Sequence, residues 1–154
     1  MLLGFKRRFA SFVEEGSKTH TIRAIGKRRA FRPGDICDCF VDTRQKTMRC
    51  LGRFKCVRVE EITITEFFNP MIPLAISING QLLSTDETEA LLYRDGFRDK
   101  GGETYESIHH AAEFWKDRLA NGKPFHGHLI HWEFKPGTAS DKPKSSKRHA
   151  GGRT

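Results

Sequence analysis

The sequence predicts an α+β protein in which a small β-barrel carries flanking helices. Three observations lead there. Strand-like runs are short and end in Gly, Pro or Asn turns. Two segments carry apolar residues at helical spacing instead. A last strand-like run, from His128 to Phe134, closes the apolar part of the chain.

Leu2-Leu3-Gly4-Phe5 reads as the opening strand. Phe9, Phe12 and Val13 then recur at helical spacing, and Gly16 is a natural terminator. Thr19 to Ala24 is extended, and Gly26 to Pro33 is a loop rich in Lys and Arg. Pro33-Gly34-Asp35 turns the chain into a strand over Ile36 to Asp42. Met48 to Thr65 is one long strand-like run whose imperfect alternation predicts coiling or a bulge.

Residues 67–84 form an irregular excursion with a small hairpin around Asn79-Gly80. Ser84-Thr85-Asp86-Glu87 caps a helix that should end near Asp95-Gly96. Thr104 to Leu119 is a second helix, with Ile108, Ala111, Ala112, Trp115 and Leu119 on one face. After Phe134 no large apolar residue remains, so the expected division is a domain over 1–134 and a disordered basic tail over 135–154. That tail suits an RNA-contacting arm or simple solubility.

The 154 residues are 37% apolar, enough for one domain with an ordinary core. No run approaches the roughly 20 apolar residues of a membrane span. The start, MLLGFKRRF, lacks the order of a secretory signal. A cytoplasmic protein without a membrane partner is the expectation. Cys37, Cys39, Cys50 and Cys56 match no zinc-finger spacing and sit in strand-like runs, so core thiols are expected and no metal. His126 and His128 share a strand face and His131 takes the other, which gives no converging ligand set.

The net charge of +8 is uneven. Residues 1–58 hold 15 Lys/Arg against 5 Asp/Glu, whereas residues 59–134 hold 6 against 13. A basic first third favours anionic partners, nucleic acid or nucleotides first among them.

The chemistry concentrates in Gly16-Ser17-Lys18-Thr19-His20-Thr21-Ile22-Arg23. Lysine acts as a base once its pKa is lowered, threonine attacks carbonyls, and arginine holds anions. A plainer reading exists: Thr19 and Thr21 are good strand formers, Lys18 suits a solvated turn, and Arg23 suits an ion pair. On a regular strand Lys18 and Thr21 would face opposite sides. Their cooperation therefore requires Lys18 to lie in the turn after Gly16, or a bulge before Thr21.

The ordered set Arg8-Phe9, Gly16-x-Lys18-Thr19-x-Thr21-Ile22-Arg23, Pro33-Gly34-Asp35, Asp95-Gly96-Phe97, Phe114-Trp115 and Leu129-Ile130-His131-Trp132 resembles the ASCH family of the PUA-like superfamily. The resemblance covers roughly residues 1–134. It implies a PUA-like barrel with a cleft between strands and helices, and RNA as a further partner. One branch of that family consists of bacterial amidohydrolases that remove the acetyl group from N4-acetylcytidine without a cofactor. Matched residue by residue, that branch implies Lys18, Thr21 and Asp95 as catalytic, with Arg23 and Arg8 binding substrate. Residues 67–84 are longer than in those enzymes, which keeps Glu87 and Glu89 beside Asp95 as acidic candidates.

Amide hydrolysis needs a nucleophile, a proton carrier and oxyanion stabilisation. Thr21 is expected to attack the acyl carbon and Lys18 to take its proton, while attack by water with Thr21 only binding substrate stays open. Burial and nearby cations would lower the Lys18 pKa; a close Asp95 would raise it. The alternatives are a non-catalytic RNA-binding module and a ribonuclease.

Overall fold

The computed structural model describes residues 1–98 and 105–139. Residues 99–104 and 140–154, including Thr104 and most of the expected tail, lie outside the described residues. The described start of that tail is tied down, since Thr138 Oγ1 accepts a hydrogen bond from Arg53 N at 3.0 Å.

Among the described residues seven strands and three helices follow the expected order: β1 Leu2–Phe5, α1 Arg7–Glu15, β2 His20–Ala24, β3 Ile36–Val41, β4 Arg49–Glu66, β5 Leu74–Ile78, β6 Gln81–Leu82, α2 Thr85–Arg94, α3 Glu106–Leu119 and β7 Phe125–Glu133. The closing strand begins three residues before the expected His128. The α+β class stands.

The sheet is built around β4. Its first residues pair antiparallel with β3, its middle with β7, and its end with both β7 and β5. A bulge between Cys56 and Arg58 changes register on β7, and another at Cys39/Phe40 changes it on β3. Such bulges bend a strand, which lets one 18-residue segment serve three neighbours. β1 adds to β3 in parallel, and β2 adds to β7 antiparallel.

The expected barrel is not closed. Among the described residues no backbone pairing joins β1 to β2, the two ends of this curl. Arg23 Nη2 donates to Gly4 O at 2.8 Å instead. A guanidinium thus takes the carbonyl that a neighbouring strand's amide would need, and the seam stays open.

The core lies between the sheet and the helices and includes Val13, Phe54, Ile62, Ile64, Leu92 and Ile108. All four cysteines are buried free thiols. Burial pushes the Cys37 thiol up to about 12, so it stays protonated and packs as a small apolar group. No helix of the described residues is long and apolar enough to cross a membrane.

Two helix termini set the scene for the site. Ser84 and Glu87 form a capping box at the start of α2. The start of α3 has no side-chain cap of its own, and Glu89 of α2 fills that role: its carboxylate accepts from Ser107 N at 3.0 Å and Ile108 N at 2.9 Å. A carboxylate there satisfies free amides and complements the positive end of the helix.

Candidate active site

Two glycines deliver the reactive groups. Gly16 (φ 87°) ends α1 in the left-handed conformation, and Lys18 N–H returns to Phe12 O at 2.9 Å. Gly96 (φ 104°) ends α2 in the same way, and Phe97 N–H returns to Leu92 O at 3.0 Å. A Cβ at either glycine would stand 2.7 Å from an aromatic ring, Phe134 in one case and Phe9 in the other. Only glycine satisfies both the turn and the close packing.

Lys18 therefore lies in the turn, two residues ahead of β2, as its cooperation with Thr21 required. Lys18, Thr21, Arg23 and Asp95 all line one cleft of about 360 Å3, which opens along the β1/β2 seam. Phe5, Phe9, Phe97 and Phe114 supply its apolar wall. A volume of this order falls at the small end of ligand sites, with a few polar groups in an aromatic lining.

Lys18 Nζ donates to Asp95 Oδ1 at 2.5 Å and to the Asp95 carbonyl at 2.7 Å. Lys18 is 2% exposed and Asp95 5% exposed. Burial is the largest influence on both: it pushes the lysine down from 10.5 and the aspartic acid up from 3.8, against their mutual attraction. Both shifts favour the uncharged pair, an amine beside a carboxylic acid. The ion-pair geometry and the neutral form differ only in where one proton sits along a short bond.

Glu87 and Glu89 are engaged in capping, so Asp95 alone of the three acidic candidates reaches Lys18. Arg23 Nε donates to Thr21 Oγ1 at 3.2 Å, and its guanidinium lies 4.8 Å from the Phe5 ring centre. Arg8 is not brought to the cleft. It is exposed, with its guanidinium over the Phe9 and Phe97 rings at 5.1 and 5.6 Å. Residue 8 precedes the buried Phe9 on α1, so the turn of the helix carries it outward. Lys6, 4.9 Å over the Phe114 ring, and Arg118 line the cleft instead.

His20 is a further buried group that motif reasoning passed over. Its Nε2 lies 3.3 Å from Asp95 Oδ1, within ion-pair range but not aligned as a hydrogen bond. Burial and the nearby Lys18 push its pKa down to about 2, so the ring is neutral in the folded chain. The unfolded chain gains a proton on this ring below its ordinary 6.5 while the folded chain does not, so stability falls with pH from there. From pH 6.5, where half of the unfolded rings already carry the proton, to pH 5 the loss from His20 is about 1.6 kcal/mol, at 1.36 kcal/mol for each pKa unit. His131, also lowered by burial, adds in the same direction. Urea unfolding at several pH values should show this slope flattened in His20→Leu; an unchanged slope would contradict the assignment.

Among the described residues no group of three His, Cys, Asp or Glu is placed to hold a metal ion. Compared with known protein families, curated proteins and solved structures, the chain matches none. The ASCH likeness therefore rests on the motif residues alone.

Proposed function

We propose that the chain is an amidohydrolase that removes the acyl group from N4-acylcytosine nucleosides such as N4-acetylcytidine, releasing cytidine and a carboxylic acid. The observation that carries this reading is the buried Lys18–Asp95 pair in the same small cleft as the Thr21 hydroxyl. A solvated turn lysine would not be buried against a carboxyl, and a structural ion pair would not need a cleft. The curled sheet, open along the β1/β2 seam, corresponds in this reading to a PUA-like barrel split where the substrate enters.

Thr21 is the nucleophile. Arg23 Nε–H occupies an Oγ1 lone pair and steadies the oxygen as its proton leaves. Lys18, the neutral amine of the pair, takes that proton while Oγ1 bonds to the acyl carbon. Nζ donates to Asp95, so the amine turns toward Thr21 for this step. The resulting ammonium stabilises the developing oxyanion.

Asp95, the protonated member, gives its proton to N4 as the C–N4 bond breaks. The pair is then ammonium and carboxylate, and cytidine departs. Water next attacks the acyl-threonine, its OH joining the acyl group and its remaining hydrogen returning to Oγ1. One proton resides on the Lys18–Asp95 pair before and after, so the pair is reset by an internal shift. The aromatic wall holds the base and excludes bulk water from the acyl-enzyme.

The test is to incubate the purified protein with cytidines bearing a graded series of N4-acyl groups and to follow cytidine release by chromatography. Turnover is expected for the acetyl substrate, with a decline once base and acyl group together outgrow the cleft of about 360 Å3. No cytidine release from any member would overturn the reading. Labelled RNA cut by the protein would favour the ribonuclease instead.

A further inference from the structure

A second cavity of about 290 Å3 adjoins the first. Arg23 and Ala24 line both, so the two cavities share a wall at the end of β2. The new cavity is formed by the start of β1, the loop after β2 and His128 of β7, which stands opposite Arg23 in the strand register. Its charge is one-sided: Arg23, Lys27, Arg28 and Arg29 line it, and among the described residues no Asp or Glu does.

These cations differ in how free they are. Arg29 is engaged with Asp35 through two hydrogen bonds, of 2.9 and 3.1 Å. Arg29 and the Arg32 amide hold the Asp35 carboxyl down to about 2, so that pair stays ionised and self-neutralising. Lys27 and Arg28 are exposed and have no carboxylate partner among the described residues. Arg23 commits Nε to Thr21 and Nη2 to Gly4, which leaves Nη1 uncommitted.

Two unpaired cations and a spare guanidinium nitrogen around a concave site form a receptor for an anion. Thr21 and Arg23 are two residues apart on one strand and face the same side, about 7 Å from Cα to Cα. In a cytosine nucleotide N4 and the 5′ phosphate lie at opposite ends of the base and ribose, so an acyl group at Thr21 leaves the phosphate for the neighbouring cavity. Apolar Ile25, Phe31 and Ile130 complete the cavity and suit the flat face of a sugar or a neighbouring base.

We propose that this second cavity is a phosphate subsite, so that the substrate is a cytosine nucleotide or a cytosine within a phosphodiester strand rather than the free nucleoside. The assignment of the base to the first cleft rests on the amidohydrolase reading; the anion site itself does not. Lys27 and Arg28 supply the charge, and Arg23 ties phosphate binding to the strand that carries Thr21.

The experiment measures binding of cytidine, cytidine 5′-monophosphate, inorganic phosphate and a short single-stranded cytosine oligoribonucleotide by titration calorimetry. Wild-type protein and Lys27→Ala/Arg28→Ala are compared; both side chains are exposed, and circular dichroism checks the fold. The phosphorylated ligands are expected to bind about tenfold or more tightly than cytidine, as charge-assisted contacts allow. That advantage should vanish in the double variant, and should shrink when salt rises from about 50 to about 200 mM.

The monophosphate binding best would assign a mononucleotide; the oligonucleotide binding best would assign a strand. Equal binding of cytidine and both phosphorylated ligands, an advantage that survives in the double variant, or no binding of any phosphate-bearing probe would overturn the subsite. Tight phosphate binding without hydrolysis would overturn the amidohydrolase reading and leave the subsite standing. Hydrolysis without a phosphate advantage would do the reverse.

Discussion

Thr21→Ala should lower turnover of N4-acetylcytidine about 10³-fold or more while the cytidine dissociation constant changes little, as loss of a nucleophile does. The reason is positional. Oγ1 is the hydroxyl on β2 that lines the cleft beside Lys18 and Asp95, and Arg23 Nε fixes its direction. If water attacked the acyl carbon directly, Thr21 would only orient substrate and its loss would cost far less. Thr21→Ser separates these cases further, because it keeps the oxygen and removes only a methyl group. Substantial activity in the serine variant with none in the alanine variant is the expected pattern. A mild effect of alanine would transfer the nucleophilic role to water.

Asp95→Ala should destabilise the fold by about 3–5 kcal/mol, the usual cost of removing one partner from a buried pair. The proton that the pair shared is then left to Lys18 alone, 2% exposed, which must either release it to solvent or break the local packing to reach water. Lys18→Met/Asp95→Leu removes both partners and should recover much of that stability, because apolar groups of similar volume remove the uncompensated charge. Activity should be absent in both variants. Urea unfolding measures the first effect and the nucleoside assay the second. An Asp95→Ala protein as stable as wild type would mean that the pair is solvated and that its proton chemistry is ordinary.

Much of the fold was legible because its punctuation is chemical. Gly16, Pro33-Gly34 and Asn79-Gly80 announce their turns, and Ser84 with Glu87 announces a capping box. The condition on Lys18 was legible as well: a two-residue side-chain period forbids Lys18 and Thr21 from sharing a face of a regular strand, so Lys18 had to lie in the turn or a bulge had to precede Thr21.

Barrel closure was not legible. Among the described residues β1 and β2 do not pair, and Arg23 takes the Gly4 carbonyl; strand propensity carries no information about such a contact. The choice among Asp95, Glu87 and Glu89 was only half legible. The capping box already accounted for Glu87, but the use of Glu89 to cap a helix seventeen residues farther on is a tertiary contact. Phe114 left a signal in its place on the helix. It stands off the buried stripe of Ile108, Ala111, Trp115 and Leu119, and at 37% exposure it borders the cleft. Lys6 and Arg118 left none, because long charged side chains show their destination only in the folded chain.

The central claim is that Lys18, Thr21 and Asp95 together cleave an N4-acyl amide in the seam between β1 and β2. Its most direct test is kcat/KM for cytidine release from N4-acetylcytidine, measured side by side for wild type, Lys18→Ala and Thr21→Ala. The account predicts steady release of cytidine and acetate by the wild type, and loss of that release in both variants. A wild type without turnover, or variants that match it, would contradict the account.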